Sequence, residues 1–392
     1  MNKTGSVKRI LGAMLASSMC VLCTFGMDVS KVQAAERGEE ENVTTIEIVS
    51  AGDTLAHLPL QNNFYVSEFE TYDFSPMFRD VYPYFNGDLN IVNLETPLAG
   101  HDRGYSGYPT FNCPAYLGLD LVEIGIDVVT TANNHCMDKG VSGLEKTLDN
   151  LDEVGLAHIG TARSQEEHDG VLIYEIKGIK TAILSYTYGT NGITVPSDKS
   201  YAVNLIDKDF IKSQIDTAKD QGAELIVACM HWGNEYETKP NAYQKDLAEF
   251  LISNDVQVIL GCHPHVLQPM QMMSVDTKYG RKEGLVIFSQ GNFFSNQTQA
   301  HTQESAIFRV KLEKAEDGII RVKSAEAIPI YMQNDKSKGS PDRYEIIDLA
   351  SIVASHDEGE TFYTDEEAER AGMEIQEIRK IVGDNIYIQN EN

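Results

Sequence analysis

Basic residues are scarce in this chain. Thirty-two Lys and Arg face 59 Asp and Glu, a formal net charge of −27 over 392 residues. Such a surface repels phosphodiester backbones, which excludes nucleic acid as a partner. An anionic polymer is repelled too, unless metal ions or a local basic patch intervene. Internal repeats are absent. So are the G-x-G-x-x-G and Walker loops that would cradle a dinucleotide or nucleotide. Long apolar runs are limited to one, ILGAMLASSMCVLCTFGM at 10–27.

That run follows a basic segment of Lys3, Lys8 and Arg9 and precedes Val32-Gln33-Ala34, which offers small residues for cleavage. The pattern predicts a secretory signal peptide over 1–34, cleaved after Ala34. An uncleaved N-terminal anchor is the alternative, because the run is near the lower limit for spanning. Either way the protein is expected to be exported, extracellular or associated with the cell envelope. Cysteine is scarce as well. With Cys20 and Cys23 in the signal, Cys113, Cys136, Cys229 and Cys262 remain. Four cysteines allow two disulfides in three pairings. Cys229 and Cys262 lie in apolar runs, however, where cysteine serves as a small core residue. No disulfide is expected.

What is present is a composition able to build a large core, 42% hydrophobic. An acidic, disordered linker is expected over 35–44. TTIEIVSAGD then reads as a buried strand running into Asp53, and DLNIVNLE (88–95) as a second. IDVVTTANNH (126–135) reads as a third, and VSGLEKTLDNLDEVG (141–155) as an amphipathic helix closed by Gly155. Further on, 171–189 suggests a hairpin, AELIVACMHWG (223–233) a strand and NAYQKDLAEFLISND (241–255) a helix. VQVILGCHPH (256–265) and EGLVIFSQGNFF (283–294) read as strands, and 306–332 as an antiparallel pair. Strand–helix alternation followed by hairpins predicts an α/β fold, a sandwich of mixed β-sheets flanked by helices. The main domain is expected over 45–332. A C-terminal extension over 333–392 carries an amphipathic helix at 365–382, with Ile375, Ile378 and Ile381 on or near one stripe.

In open α/β sheets ligands bind beyond the carboxyl ends of strands. Those ends deliver Asp53, with His57 four residues on; Asn93 and Glu95; Asn133, Asn134 and His135, with Asp138 nearby; His231 and Glu235; His263 and His265; and Asn292. One polar residue after a strand means little. Here the same event recurs at five or six strand ends. Carboxylate and amide oxygens mixed with imidazole suit divalent ions such as Mn, Fe or Zn, one or two of them. His263 and His265 can both ligate only if the backbone turns between them, and Pro264 helps to impose that turn.

GDTLAH, DLNIVNLETPL, DVVTTANNHCMDKGVSGLEKTLDNLDEVGLAHIGTA, MHWGNEY, VILGCHPHVLQPM and FSQGNFF together resemble the CapA-type proteins of capsule and poly-γ-glutamate synthesis. Their domain is similar to calcineurin-like metallophosphoesterases. The resemblance implies a metallophosphoesterase-like sandwich of two mixed sheets. It also implies metal ligands at Asp53, Glu95, Asn134, His231, His263 and His265, and a general acid at His135. The substrate it implies is a cell-surface polymer or a small phosphoester or amide, handled alone or within a membrane polymer-synthesis complex. A non-catalytic scaffold in such a complex is the alternative. Two departures bear on the second metal. The superfamily's Asp-x-His motif reads Asp53-Thr54-Leu55, which leaves open whether His57 reaches the site. Glu95 replaces the bridging aspartate.

Each of these residues also has a structural reading. Asp53 and Glu95 could cap helices, and Asn133 suits an Asx-turn better than Asn134 does. Asp138 is expected to hold the turn or a neighbouring side chain, and Asn292 to fix loop backbone. Cys229 shares a strand face with His231 and is expected in the core. Glu235 is either a substrate-contacting group or simply solvated. His57, His101, His158, His168, His301 and His356 are given no role.

Overall fold

The structure is a computed structural model describing residues 43–357 and 363–384. The expected signal peptide and nearly all of the expected linker fall outside those residues. Two mixed sheets lie face to face. The larger runs in the order Tyr344–Asp348, Ile320–Asn334, Glu304–Lys314, Thr44–Thr54, Leu89–Leu94, Val128–Thr130, Ala157–Ile159. The other runs Met270–Thr277, Gly280–Ile287, Val258–Cys262, Leu225–His231, Ile179–Thr187, Leu172–Ile176. Each sheet contains a parallel block of four strands, central in the second sheet and reaching the Ala157–Ile159 edge in the first. The carboxyl ends of the parallel strands therefore point to one rim, where binding residues collect.

Side-chain alternation builds three apolar layers. Ile46, Ile48, Leu89 and Ile91 meet Ile183, Val227, Leu260 and Leu285 between the sheets. Val49, Ala51, Val92 and Leu94 face outward onto helices Tyr116–Glu123 and Gly140–Val154. Ile226, Ala228 and Ile259 face the opposite way, onto helices Lys208–Asp220 and Ala242–Ser253. Strands buried on both faces are apolar throughout, as parallel strands must be. The lone tryptophan, Trp232, lies in the third layer and donates from Nε1 to the Phe288 carbonyl at 2.9 Å.

The expected α/β sandwich of two mixed sheets flanked by helices is what forms. The segment after 332 adds the edge strand Tyr344–Asp348 to the larger sheet. Helix Asp365–Val382 lays Ala368, Ala371, Ile375 and Ile378 on the inter-sheet layer. Three details differ from the sequence reading. The expected strand at 126–135 is cut to Val128–Thr130, because Thr131 and the asparagines after it turn out of the sheet. The run 283–294 splits: Gly280–Ile287 stays in one sheet, while Asn292–Phe294 crosses to pair with Thr44–Thr54 in the other. Met270–Thr277 is an edge strand with no buried residue, so its apolar alternation is faint. Cys113, Cys136, Cys229 and Cys262 are all buried and free. Among the described residues no helix is long and apolar enough to cross a membrane.

Candidate metal centre

The site begins with a fault in a strand. The pairing of Thr44–Thr54 with Leu89–Leu94 slips by one residue between Ala51 and Asp53. Without that bulge, the alternation that aims Ile46 and Ile48 at the second sheet would turn residue 53 away from it. Gly52 makes the bulge possible. A Cβ there would sit 1.9 Å from the Gly291 carbonyl oxygen. The same carbonyl accepts from the Asp53 amide at 3.0 Å.

Asp53 is fully buried. Its Oδ1 accepts from Asn93 Nδ2 at 2.7 Å and its Oδ2 from the His263 amide at 3.1 Å. His265 Nδ1 lies 3.2 Å from Oδ2. Burial raises the Asp53 carboxyl, but the hydrogen bond and charge of His265 outweigh it and hold the group well below the usual carboxylate range. His265 shows the reciprocal balance. Burial lowers it, while Glu95 and Asp53 push it up to about 9.

Glu95 is also fully buried, yet neither carboxylate oxygen has a hydrogen-bond partner. Its Oε1 stands 3.5 Å from His231 Nε2 and 3.7 Å from His265 Nε2. Burial, then the charge of Asp53, pushes the Glu95 carboxyl well above its ordinary value. His231 Nε2 lies 2.8 Å from Asn134 Oδ1, and burial holds this ring well below its usual pKa. His263 Nδ1 is buried without a partner, and burial lowers that ring to about 3.

The turn between the two histidines is real and strained. His263 has φ +99° and His265 φ +58°. Each left-handed non-glycine residue costs roughly 1–3 kcal/mol, and such residues cluster at functional sites.

Potential ligand atoms fall into two groups, each within 4.8 Å: Glu95, His231 and His263, and Asp53, Glu95 and His265. Glu95 belongs to both. A buried carboxylate with two unpaired oxygens, facing imidazoles with an unpaired nitrogen, is a donor set that a divalent cation completes. The residues fit the expected metal.

All six expected ligands thus meet at the rim, with Asn134 touching the cluster through His231. His135 stands beside it. Asp138 Oδ2 holds its Nδ1 at 2.7 Å and accepts from the Phe111 amide. Asn133 forms the Asx-turn, its Oδ1 accepting from the His135 amide. Asn292 Oδ1 lies 3.0 Å from His265 Nδ1, while its Nδ2 donates to Ser295, Gln297 and the Thr302 carbonyl. It fixes both loop and ligand. Cys229 sits in the inter-sheet core. Glu235 is exposed on a cleft of about 720 Å³ that His135 and His265 also line.

His57 reaches this cleft wall, and burial lowers its ring to about 4. Its Nδ1 accepts from the Asn296 amide, and it belongs to neither ligand group. Leu55, at the departed motif position, is 2% exposed and lines the same cleft.

Sequence reasoning placed Asn93 at a strand end without a role, and missed two further neighbours. Asn93 steadies Asp53 and lies 3.4 Å from His231 Nδ1. Tyr188 packs on His263 with ring centroids 4.5 Å apart. Asn191 accepts from Asn134 and reaches His135 Nε2 at 3.4 Å. The last two follow strand Ile179–Thr187, a strand end like the others whose loop carries no carboxylate or histidine to draw attention.

Fold and cluster together define an α/β sandwich with a buried carboxylate–imidazole centre at its strand ends. A family model described as bacterial capsule synthesis protein PGA_cap matches residues 47–297, and the chain belongs to that family. It is 28% identical over 275 residues to the capsule biosynthesis protein CapA of Bacillus anthracis, covering 68% of this chain and 62% of that one. It is 30% identical over 223 residues to the PGA biosynthesis protein CapA of Bacillus subtilis, covering 56% of each. The chain therefore spans less than two thirds of these curated relatives. Among solved structures, calcineurin-like phosphoesterase YfkN of Bacillus subtilis is similar at 15% identity and TM-score 0.46, over 86% of this chain and 98% of that one. The Haemophilus influenzae NAD nucleotidase is similar at 13% identity and TM-score 0.46, over 89% and 58%.

Proposed function

We propose that this chain is an exported capsule-family protein that binds one or two divalent ions of the Mn, Fe or Zn kind and hydrolyses a phosphoester or amide bond in cell-surface polymer metabolism. The observation that carries the reading is Glu95, whose two buried oxygens lack partners while facing His231 and His265. Glu95, His231 and His263 would hold one ion, and Asp53, Glu95 and His265 the other. Ions there would supply Lewis-acid polarisation of a phosphoryl or carbonyl group and activation of water.

The remaining work falls to the chain itself. Asp138 fixes the His135 ring through Nδ1, which leaves Nε2, 3.4 Å from the Asn191 amide nitrogen, as the atom through which the protonated ring would pass a proton to a leaving group at the cleft. Asn93 and Asn292 hold Asp53 and His265 in place. Export is supported by the basic start, the apolar run and Val32-Gln33-Ala34. The polymer setting is supported by the family and by relatives named for capsule and PGA biosynthesis.

Leu55 favours a second reading, in which the cleft only binds chain ends within a polymer synthesis or export complex at the membrane. It fills with hydrocarbon the place where the superfamily motif has a histidine. Metal analysis of the purified protein, with turnover of p-nitrophenyl phosphate and γ-glutamyl peptides, separates the two. Bound metal with turnover abolished in His263→Ala supports the enzyme. Bound metal with no turnover supports the binder. Absence of any bound divalent ion and of turnover sinks the enzyme and leaves the binder.

A further inference from the structure

His57 stands on the wall of the cleft with one ring nitrogen engaged and the other free. The Asn296 amide lies 3.2 Å from Nδ1, and the Leu55 carbonyl 3.1 Å from it. A neutral ring can serve only one of them, because a protonated nitrogen donates and a bare one accepts. The Leu55 carbonyl already accepts from the His57 amide at 3.0 Å. The Asn296 amide has no other acceptor among the described residues, and a backbone N–H can only donate. The Nδ1 lone pair therefore faces Asn296, and the proton of the neutral ring is on Nε2. Burial keeps the ring neutral by lowering it to about 4. Nε2 makes no hydrogen bond among the described residues and is not a buried atom, so its proton opens onto the cleft that the ring lines.

This tautomer separates His57 from the ligands of the centre. A ligating nitrogen must offer its lone pair. Nε2 could do so only with the proton moved to Nδ1, where it would meet the Asn296 N–H and leave that donor unpaired. The ring is also steadied from the side. Phe111 meets His57 edge-on at 5.1 Å and His135 edge-on at 4.7 Å, so the two imidazoles flank one benzene ring. His265 lines the same cleft, and its charge acts on the His57 ring.

Cationic donors are lacking here. Among the described residues no lysine or arginine lines the cleft, whereas Glu235 and Asp138 do. The adjoining amides are engaged within the protein. Asn296 Oδ1 accepts from Asn334, Gln297 Oε1 accepts from Asn292, and Gln297 Nε2 reaches the Tyr236 hydroxyl at 3.4 Å. From this arrangement we infer that His57 is a ligand-binding residue whose Nε2–H donates to an anionic oxygen of the bound molecule, phosphoryl or carboxylate, and that it does not hold an ion. The acceptor class follows from the neighbouring centre, since divalent ions draw oxyanions to their edge. In a cleft without cationic side chains a neutral N–H is the donor left to meet such an oxygen. The inference rests on the proposed centre for where the ligand sits, and adds to it a contact that no ion makes.

The test has two arms, both on the full chain. Long-range proton–nitrogen NMR of the imidazoles reads the His57 tautomer in the wild type, so this arm does not depend on a variant folding. The Nε2–H form is expected, unchanged when Zn is added. Calorimetry then measures binding of orthophosphate and of γ-glutamylglutamate with Mn present. His57→Asn keeps an oxygen for the Asn296 amide but is too short to reach the ligand, whereas His57→Gln carries an N–H to the place of Nε2. His57→Asn is expected to weaken at least one probe about tenfold and His57→Gln to recover most of that affinity, with Mn uptake equal in all three proteins. The probe that responds tells a phosphoryl source from a carboxylate one, and either supports the inference. A proton on Nδ1, or a His57 ring that loses its Nε2 proton to Zn, overturns it. So does loss of Mn uptake in the variants, His57→Gln no better than His57→Asn, equal binding by His57→Asn and wild type, or binding of neither probe by the wild type. Binding that depends on His57 in a protein that turns over neither p-nitrophenyl phosphate nor γ-glutamyl peptides leaves the inference standing while the hydrolytic reading falls.

Discussion

Replacing Glu95 by Gln is expected to have opposite effects on the empty and the metal-loaded protein. In the empty protein, Glu95 is buried with both oxygens unpaired beside the Asp53 charge. A buried polar group without partners costs about 1–3 kcal/mol, and more when charged. Gln keeps the shape and removes the charge, so the empty variant gains about 2 kcal/mol. Roughly 350 folded residues unfold with an entropy near 0.7 kcal/mol/K, so the gain reads as about 3 °C in Tm. In the wild type, metal at about a thousand times its Kd adds about 4 kcal/mol, or about 6 °C. The variant loses most of that increment, because Glu95 belongs to both ligand groups. Scanning calorimetry in chelator and in Mn or Zn gives all four melting points. A variant less stable than wild type in chelator would show that Glu95 has a partner in the empty protein. A metal increment equal in both proteins would remove Glu95 from the centre.

Three further outcomes follow from other residues. At position 263, where φ is +99°, Gly is expected to be more stable than Ala in chelator by about 1 kcal/mol by urea unfolding, the reverse of the usual order. Asp120 is buried in helix Tyr116–Glu123 and accepts from the Phe74 amide at 2.7 Å. Burial, with Asp73 and Glu123 adding to it against that hydrogen bond, raises its carboxyl to about 7. A raised carboxyl contributes stability that is fully present below its unfolded pKa and lost as pH rises through the folded one. Asp120→Asn, which can still accept from Phe74, should therefore be neutral at pH 4 and stabilising by about 2 kcal/mol above pH 7, after allowance for solvent screening. Metal uptake should be stepwise, because the His231–His263 side offers two imidazoles and the His265 side one. Zn titration is expected to fill the nitrogen-rich side first. His263→Ala should remove the tighter step and His265→Ala the weaker; loss of both steps in either variant would mean a single ion.

Much of this architecture was legible because parallel strands buried on both faces read as unbroken apolar runs, each ending abruptly in polar residues. Strand ends drew attention to Asp53, Glu95, Asn134, His231 and His263 among other polar residues, and the family resemblance singled them out as ligands. The same logic was blind to what holds them. Asn93 lies two residues before Glu95, and nothing in DLNIVNLE distinguishes a strand-end amide that steadies Asp53 from one that merely pairs backbone. The bulge at Gly52 is likewise invisible, since alternation taken without it would turn Asp53 away from the inter-sheet face. Asn191 and Tyr188 were missed because the chain supplies them from a loop with no charge pattern. Edge strand Met270–Thr277 was missed because little of it is buried.

The position that mattered most in the sequence, Leu55, also carries the final step. Read alone, Asp53-Thr54-Leu55 removes a histidine from the first motif and suggests a damaged centre. The structure places that loss on one side only. Leu55 lines the cleft, and its amide donates to the Phe294 carbonyl at 3.0 Å. His57, the nearest substitute, has Nδ1 occupied by the Asn296 amide. Neither contributes to a ligand group. The three ligands on the other side, Glu95, His231 and His263, are untouched by the change, and Asn134 still meets His231 at 2.8 Å. On the proposed reading, the departure bears on the Asp53–His265 half and leaves the half beside His135 unchanged. Two left-handed histidines and an unpaired buried carboxylate together destabilise the fold by several kcal/mol, a cost that the proposed ions would offset.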